Sequence, residues 1–204
     1  MITLYGCRTS SATNRVRIAL RLKDISYQYV EVDLQQGEHL TPSYRELNAQ
    51  RKLPLLMHNV QILTQSLAII EYLDDVHAGH DVLPRDPLER AWCRSFASLF
   101  SADYHPLVTR RVADRLRASG LTETDISHWK RHWLDESLKM AEETLSQRAI
   151  QHEFCCGASP TMADICLFAQ CESGRKQGID LSHHKLLFGI YALCYELEAF
   201  HEVQ

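Results

Sequence analysis

A chain of 204 residues is long enough to bury a full core, as one large domain or as two small ones. Apolar residues at 45% and charged residues at 24% are the balance of an ordinary globular protein, and a formal net charge of −4 argues against a general nucleic-acid binder. No apolar run reaches the ~18 to 20 residues that a bilayer crossing needs, so no membrane span is expected.

The N-terminus enters a strand at once, from Ile2 to Tyr5, without the basic and apolar segments of a secretory signal. The seven cysteines, Cys7, Cys93, Cys155, Cys156, Cys166, Cys171 and Cys194, form an odd set with no Cys-x-x-Cys pair, which favours reduced thiols and a cytoplasmic location.

After that strand, Thr9, Ser10 and Ser11 make a polar turn, and Val16, Ile18, Ala19, Leu20 and Leu22 have the spacing of a mostly buried helix. A second strand follows over residues 27–33, rich in β-branched and aromatic side chains. Strand, helix and strand make a right-handed βαβ unit with parallel strands. A short helix is expected near Tyr44 to Leu47. Next comes Leu53-Pro54-Leu55-Leu56-Met57, whose proline has no N–H for the ladder and should therefore begin the strand. This run pairs with Val60-Gln61-Ile62-Leu63 as a hairpin around His58-Asn59, and Gln65-Ser66 then opens a helix that ends by about His77.

Residues 78–87 carry Gly79, Pro84 and Pro87 among charges, the composition of a linker. Everything beyond reads as helical: residues 88–104, residues 106–119 ended by Gly120, and a long amphipathic helix through Ile126, Trp129, Trp133, Ala141 and Leu145. Thr161 and Asp164 read as a capping box opening the next helix, and a final helix occupies residues 185–200. The expected fold is an α/β N-terminal domain of order βαβαββα over residues 1–80, followed by an all-α domain over residues 88–204.

The chemistry starts at the first helix. A helix start leaves about four N–H groups without intrahelical partners and carries roughly half a positive charge, so it attracts an anion. Hydroxyls from Ser10 and Ser11 at that place suit a thiolate or a carboxylate; capping by Ser10, Ser11 and Thr13 is the plain alternative. No base partner stands near Ser10 in sequence, which disfavours a serine hydrolase. His128 and His132 have metal-compatible spacing but no third ligand, so a solvated face is expected. Arg15 and Arg17 read as structural, Trp129 and Trp133 as core, and the vicinal pair Cys155-Cys156 as packing. Cys7 begins a Cys-x-x-Ser sequence open to thiol exchange, and its plain reading is a small buried residue at a strand end.

Taken in order, Ser10-Ser11 before Arg15-Val16-Arg17-Ile18-Ala19-Leu20, the Gln65-Ser66 helix start, His105-Pro106-Leu107, Thr161-Met162-Ala163-Asp164 and Ile179-Asp180-Leu181 resemble the cytosolic glutathione transferases, most of all their zeta class. The resemblance covers residues 4–200. It implies a thioredoxin-like N-terminal domain joined to a helical domain, glutathione as cofactor in the cleft between them, and a homodimer. It also implies glutathione-dependent cis–trans isomerisation of maleylacetoacetate or maleylpyruvate.

Carried over by position, Ser10 corresponds to the serine that hydrogen-bonds the glutathione sulfur, with Ser11 in support. Leu53, before the cis Pro54, corresponds to the main-chain partner of the cysteinyl part. Gln65 and Ser66 correspond to the γ-glutamyl site, and His39 to the contact of the glycine carboxylate. His105 and Thr109, with Arg111, lie on the helical face that closes the cleft. Arg8, Arg110, Arg111, Arg175 and Lys176 are the candidates for the carboxylates of a maleyl diketo acid and for the negative charge of its reaction; for each arginine an exposed helix charge is the plain reading. Ala12 stands where the zeta pattern often has a cysteine, Thr9 where it has an arginine, and Lys176 where it has an arginine held to bind substrate. No metal is implied. Two further functions fit the same residues: general conjugation of glutathione to small electrophiles or thiol transfer through Cys7, and a transferase fold kept for binding without turnover.

A free thiol ionises with a pKa near 8.5. Lowering that by about two units needs roughly 2.7 kcal/mol of preference for the thiolate. One charge-assisted hydrogen bond from Ser10 and a helix N-terminus together are of that order.

Overall fold

The computed structural model of the chain describes residues 1–201. They divide into two compact units, one of Met1–Leu83 with the segment that starts at Glu198, the other of Pro84–Leu197.

The first unit is built on a four-stranded sheet of order β2-β1-β3-β4, from β1 (Ile2–Gly6), β2 (Gln28–Glu31), β3 (Leu55–His58) and β4 (Gln61–Thr64). β1 and β2 are parallel, as their crossover through helix α1 (Ser11–Leu22) requires; β3 is antiparallel to both β1 and β4. Helix α2 (Pro42–Leu47) precedes β3, and α3 (Ser66–Val76) follows β4 and packs against α1. The order is the expected βαβαββα. Leu4, Val16, Ile18, Leu20, Leu55, Leu56, Ile69, Ile70 and Leu73 are buried together in this unit. A side chain at Gly6 would collide with the Thr13 methyl, so the glycine lets the end of β1 and the start of α1 lie in contact.

Three cations are buried in the unit. Lys23, at the end of α1, donates to Asp74 Oδ1 at 2.9 Å and to the His80 carbonyl at 2.8 Å, and Asp74 also accepts from the N–H groups of Val82 and Leu83. Arg17 donates to Asn14 Oδ1 and lies over the Tyr29 ring; Arg15 and Arg17 are both buried, in keeping with a structural part.

The second unit is helical. Helix α4 (Pro87–Ser98) starts with Asp86 accepting from the N–H groups of Leu88 and Glu89. It runs on through a π-helical stretch, Leu99–Tyr104, into α5 (His105–Val108), and after Thr109 the chain restarts as α6 (Arg110–Ala118). Helices α7 (Glu123–Ser146), α8 (Met162–Lys176) and α9 (Lys185–Glu196) follow. α8 is central, with Met162 through Gln170 buried without interruption and α4, α7 and α9 packed around it. The Thr161–Asp164 capping box opens α8 as expected.

Three boundaries differ from expectation. The break placed between residues 104 and 106 is not there: Pro106 has no N–H to give, and the wider π turn, in which the His105 N–H reaches the Phe100 carbonyl, lets the helix pass it. The break comes instead at Thr109, whose ψ of 156° is extended. The last helix stops at Glu196, and Leu197, also extended, separates it from α10 (Glu198–His201), which groups with the first unit through α1, with Arg21 and Glu198 3.4 Å apart. Trp129 and Trp133 are half-buried rather than core; the Trp129 indole donates to the Leu107 carbonyl at 2.8 Å. His128 and His132 are exposed, and among the described residues no group of His, Cys, Asp and Glu is arranged to hold a metal. No described helix is long and apolar enough to cross a membrane.

Candidate functional site

Strand register decides what meets in the first unit. Tyr5 lies opposite Leu55, and Leu55 opposite Thr64. The end of β1, the start of β3 and the end of β4 therefore share one end of the sheet, and the segments that flank them, residues 7–11, 53–54 and 65–66, converge there. Ser10, Ser11, Leu53, Pro54, Gln65 and Ser66, spread over more than fifty positions of sequence, are brought to one end of the sheet by two strand pairings.

Ser10 is the N-cap of α1, with an extended backbone at ψ 117°, and its Oγ accepts from the Thr13 N–H at 3.3 Å. Capping and ligand binding are not exclusive. The cap uses an oxygen lone pair and leaves the hydroxyl proton, which no described residue accepts, to donate to an anion. Ser11, half-buried, is the first residue of the helix, whose opening turn carries no acidic side chain. Cys7 is half-buried rather than buried; its sulfur lies 3.2 Å from the Thr9 hydroxyl, and its N–H donates to Thr13 Oγ1.

The Leu53-Pro54 peptide is cis, as the resemblance implies. The N–H and C=O of Leu53 have no hydrogen-bond partner among the described residues, an open pair just ahead of a central strand. The approach to it is pinned from below: the Tyr44 hydroxyl and the Asn48 amide both donate to the Lys52 carbonyl at 2.8 Å, and burial pushes the Tyr44 hydroxyl up to about 12. At the third corner, Gln65 sits at φ 71°, a conformation that non-glycine residues adopt at a cost of about 1–3 kcal/mol. Its amide donates to Gln50 Oε1 at 2.8 Å, while Gln50 donates to Thr64 Oγ1. Ser66 is buried at the first position of α3, a helix with neither a side-chain cap nor an acidic residue in its first turn. Its free N–H groups are suited to a carboxylate.

Gln50 was not among the sequence candidates. Its contacts to Thr64 and Gln65 lie 14 and 15 residues away, and no local pattern announces them. His39 lies apart from the three corners in sequence, half-buried in a single turn, Glu38–Leu40, after β2. Arg8 is exposed and engaged from two sides: its Nε is 3.8 Å from Glu31, and its guanidinium lies over the Tyr29 ring.

In the second unit, His105 begins α5, and Thr109, half-buried, bonds the Pro106 carbonyl at 3.4 Å. Arg110 pairs with Asp114 at 3.8 Å; Arg111 is exposed and has no ion pair among the described residues. Arg175 and Lys176 are adjacent but not equivalent. Arg175 donates to Glu172 Oε1 at 3.1 Å and to the Tyr191 hydroxyl at 2.6 Å, while that hydroxyl donates to the same carboxylate, and its guanidinium stands near the Tyr191 and Tyr195 rings. Lys176 is exposed with no such tie. The structure thus engages Arg175 within its own unit and leaves Lys176 available.

The residues of the first unit fit a tripeptide thiol with two carboxylates: a hydroxyl donor for sulfur, an open main-chain pair for a peptide, and a bare helix N-terminus for an anion. The family model for the glutathione S-transferase N-terminal domain matches residues 4–81. The chain is 35% identical over 198 residues to the maleylpyruvate isomerase of Ralstonia sp, spanning 97% of this chain and 93% of that one. It superposes with a TM-score of 0.94 at 35% identity on the holo structure of a maleyl pyruvate isomerase, described as a bacterial zeta-class glutathione S-transferase, covering 98% of this chain and 95% of the other. It also superposes with a TM-score of 0.95 at 34% identity, and the same coverage, on the maleylacetoacetate isomerase of Methylobacterium extorquens AM1 with bound malonate and glutathione.

Proposed function

The chain belongs to the glutathione S-transferase family, and from that premise we propose that it is a zeta-class, glutathione-dependent cis–trans isomerase of maleylacetoacetate or maleylpyruvate. The observation that carries the reading is the convergence of Ser10, Leu53 and Gln65-Ser66 at one end of the sheet. When bound, glutathione would supply a thiolate for reversible addition to the cis double bond, the chemistry by which that bond can rotate to the trans form.

Within this reading Ser10 donates its hydroxyl proton to the sulfur and keeps it ionised, assisted by the opening turn of α1 and by Ser11. Leu53 pairs through its N–H and C=O with the cysteinyl peptide, and Pro54 shapes that end of the sheet. Ser66 and Gln65, the latter held by Gln50, take the γ-glutamyl carboxylate at the start of α3. His39, His105 and Thr109 are proposed as further contacts of the cofactor. Among the cations, Lys176 and Arg111 are assigned to the substrate carboxylates and to the negative charge that develops on the dicarbonyl. Arg8, Arg110 and Arg175, each already paired with a carboxylate, contribute less.

A cytoplasmic homodimer completes the proposal. Seven free thiols favour a reducing compartment, and the exposed Val60 and Ile62 at the β3–β4 hairpin favour a covered face. The direct test is turnover of maleylacetoacetate and maleylpyruvate side by side, with and without glutathione. Glutathione-dependent formation of the trans isomer from one of them supports the reading. Conjugation of small electrophiles with neither diketo acid isomerised would overturn it in favour of a general transferase.

A further inference from the structure

Six of the seven cysteines lie in the second unit, and the function proposed above uses none of them. The vicinal pair is split by the fold. Cys155 is turned inward: its N–H donates to Asp164 Oδ1 at 2.7 Å, its thiol faces the same carboxylate, and complete burial holds that thiol well above its ordinary value. Cys156, half-buried, faces the other way, and its thiol meets that of Cys93, a fully buried residue of α4.

Three features fix this contact. The 154–157 turn is closed by the Phe154 N–H bonding the Gly157 carbonyl at 3.0 Å. The turn is tied to the start of α8 through Asp164, which accepts from Cys155 and from both the N–H and the hydroxyl of Thr161 at 2.7 to 2.8 Å. Helix α4, which carries Cys93, packs directly on α8. The Thr161 hydroxyl adjoins both sulfurs, and the Ala163 N–H, in the first turn of α8, reaches that of Cys93. The hydrogen bond from Cys156 lowers the Cys93 thiol from its ordinary value and in turn pushes the Cys156 thiol up, so the pair sheds its first proton from the buried member.

We propose that Cys93 and Cys156 are a redox-active dithiol that closes to a disulfide clamping α4 onto the N-terminus of α8, with Cys156 as the solvent-facing entry. With glutathione disulfide as oxidant, the Cys156 sulfur attacks one of its sulfurs while its proton passes to the adjacent Cys93 thiolate, forming a mixed disulfide and expelling one glutathione thiolate, which takes that proton on from Cys93. The Cys93 thiolate then attacks the Cys156 sulfur and expels the second. The protein loses two electrons and two protons, and glutathione disulfide is reduced to two thiols. Cys93, beside the scissile bond and ionised first, is the resolving partner.

The test uses the full chain. Folded protein is equilibrated in buffers of rising glutathione disulfide to glutathione ratio, quenched by alkylation under denaturing conditions and mapped by peptide mass spectrometry. The expected result is loss of two of the seven alkylatable thiols, a single cross-linked peptide pair joining Cys93 to Cys156, and return of both thiols on reduction. Cys93→Ala should stop the sequence at one glutathionyl adduct on Cys156, and Cys156→Ala should leave Cys93 alkylatable throughout. Seven alkylatable thiols at every ratio, or a cross-link joining any other pair, would overturn the proposal. Should either variant fail to fold by circular dichroism, the wild-type peptide map decides by itself. Isomerase activity is no part of the readout, so the outcome is independent of the proposed function.

Discussion

At the residue scale the proposal rests on which groups remain free once the fold has used the rest. Ser10 caps α1 and still has a proton to give, so Ser10→Ala removes two separable things. Turnover should fall about 10²-fold or more through loss of the donor to the thiolate, with the ultraviolet thiolate band of bound glutathione lost at neutral pH. Stability should fall by about 1 kcal/mol through the lost cap, read from urea melts. Cys7→Ser should leave isomerisation intact; a comparable loss there would turn the reading toward thiol transfer. Arg175 and Lys176 part company in the same way. Lys176→Ala should raise KM for the diketo acid with urea stability unchanged. Arg175→Ala should cost about 1–3 kcal/mol of stability, because the buried Glu172 loses its charged donor, and should move KM little.

At the element scale, two helix starts of the second unit, those of α7 and α8, are built on Thr–Asp boxes in two environments. At α8 the box is buried, and Asp164 satisfies three donors; burial pushes its carboxyl up while those hydrogen bonds pull it back. Asp164→Ala strands all three and should destabilise the chain by at least about 3 kcal/mol, measured by urea unfolding. At α7 the box is exposed, and hydrogen bonds from the Thr122 side chain and backbone hold the Asp125 carboxyl below its usual value. The folded value lies below the unfolded one, so this contribution is complete above the ordinary carboxyl value near 3.9 and is lost as pH falls through the lower folded one. Carboxyl NMR titration should find the Asp125 midpoint below that of a free Asp, and Thr122→Ala should move it upward. The helix through Pro106 belongs to the same scale. A proline read as a break is carried by a π turn, a choice that depends on the packing of Phe100 and Tyr104, both buried, rather than on local preference.

At the scale of the whole molecule, Lys23 ties α1 to α3 through Asp74 and to the segment that leaves the first unit through the His80 carbonyl. Lys23→Met should cost about 3–5 kcal/mol, since Asp74 is left as a largely buried charge without its partner. The proposed homodimer predicts a sedimentation mass about twice the 23.5 kDa of the chain, with Val60→Asp shifting it toward the monomer.

Order and type of the elements were legible because periodicity and capping are local. The hairpin after Leu53-Pro54 and the Thr161–Asp164 box are each set within a dozen or so residues, the βαβ crossover joins three consecutive elements, and all reappear in the structure close to where spacing places them. The resemblance placed candidate residues but not their neighbours. That Gln50 holds Gln65, that Arg175 is engaged by Tyr191, and that Cys156 meets Cys93 rather than Cys155 are decided by contacts across 15, 16 and 63 positions, and burial of a core, rather than any repeating pattern, brings such pairs together. By itself the sequence determined the fold and the polar character of the site, since both follow from side-chain chemistry at short range. Only tertiary packing decided which hydroxyl, cation or thiol is still free to act, because that depends on what the folded chain has already paired.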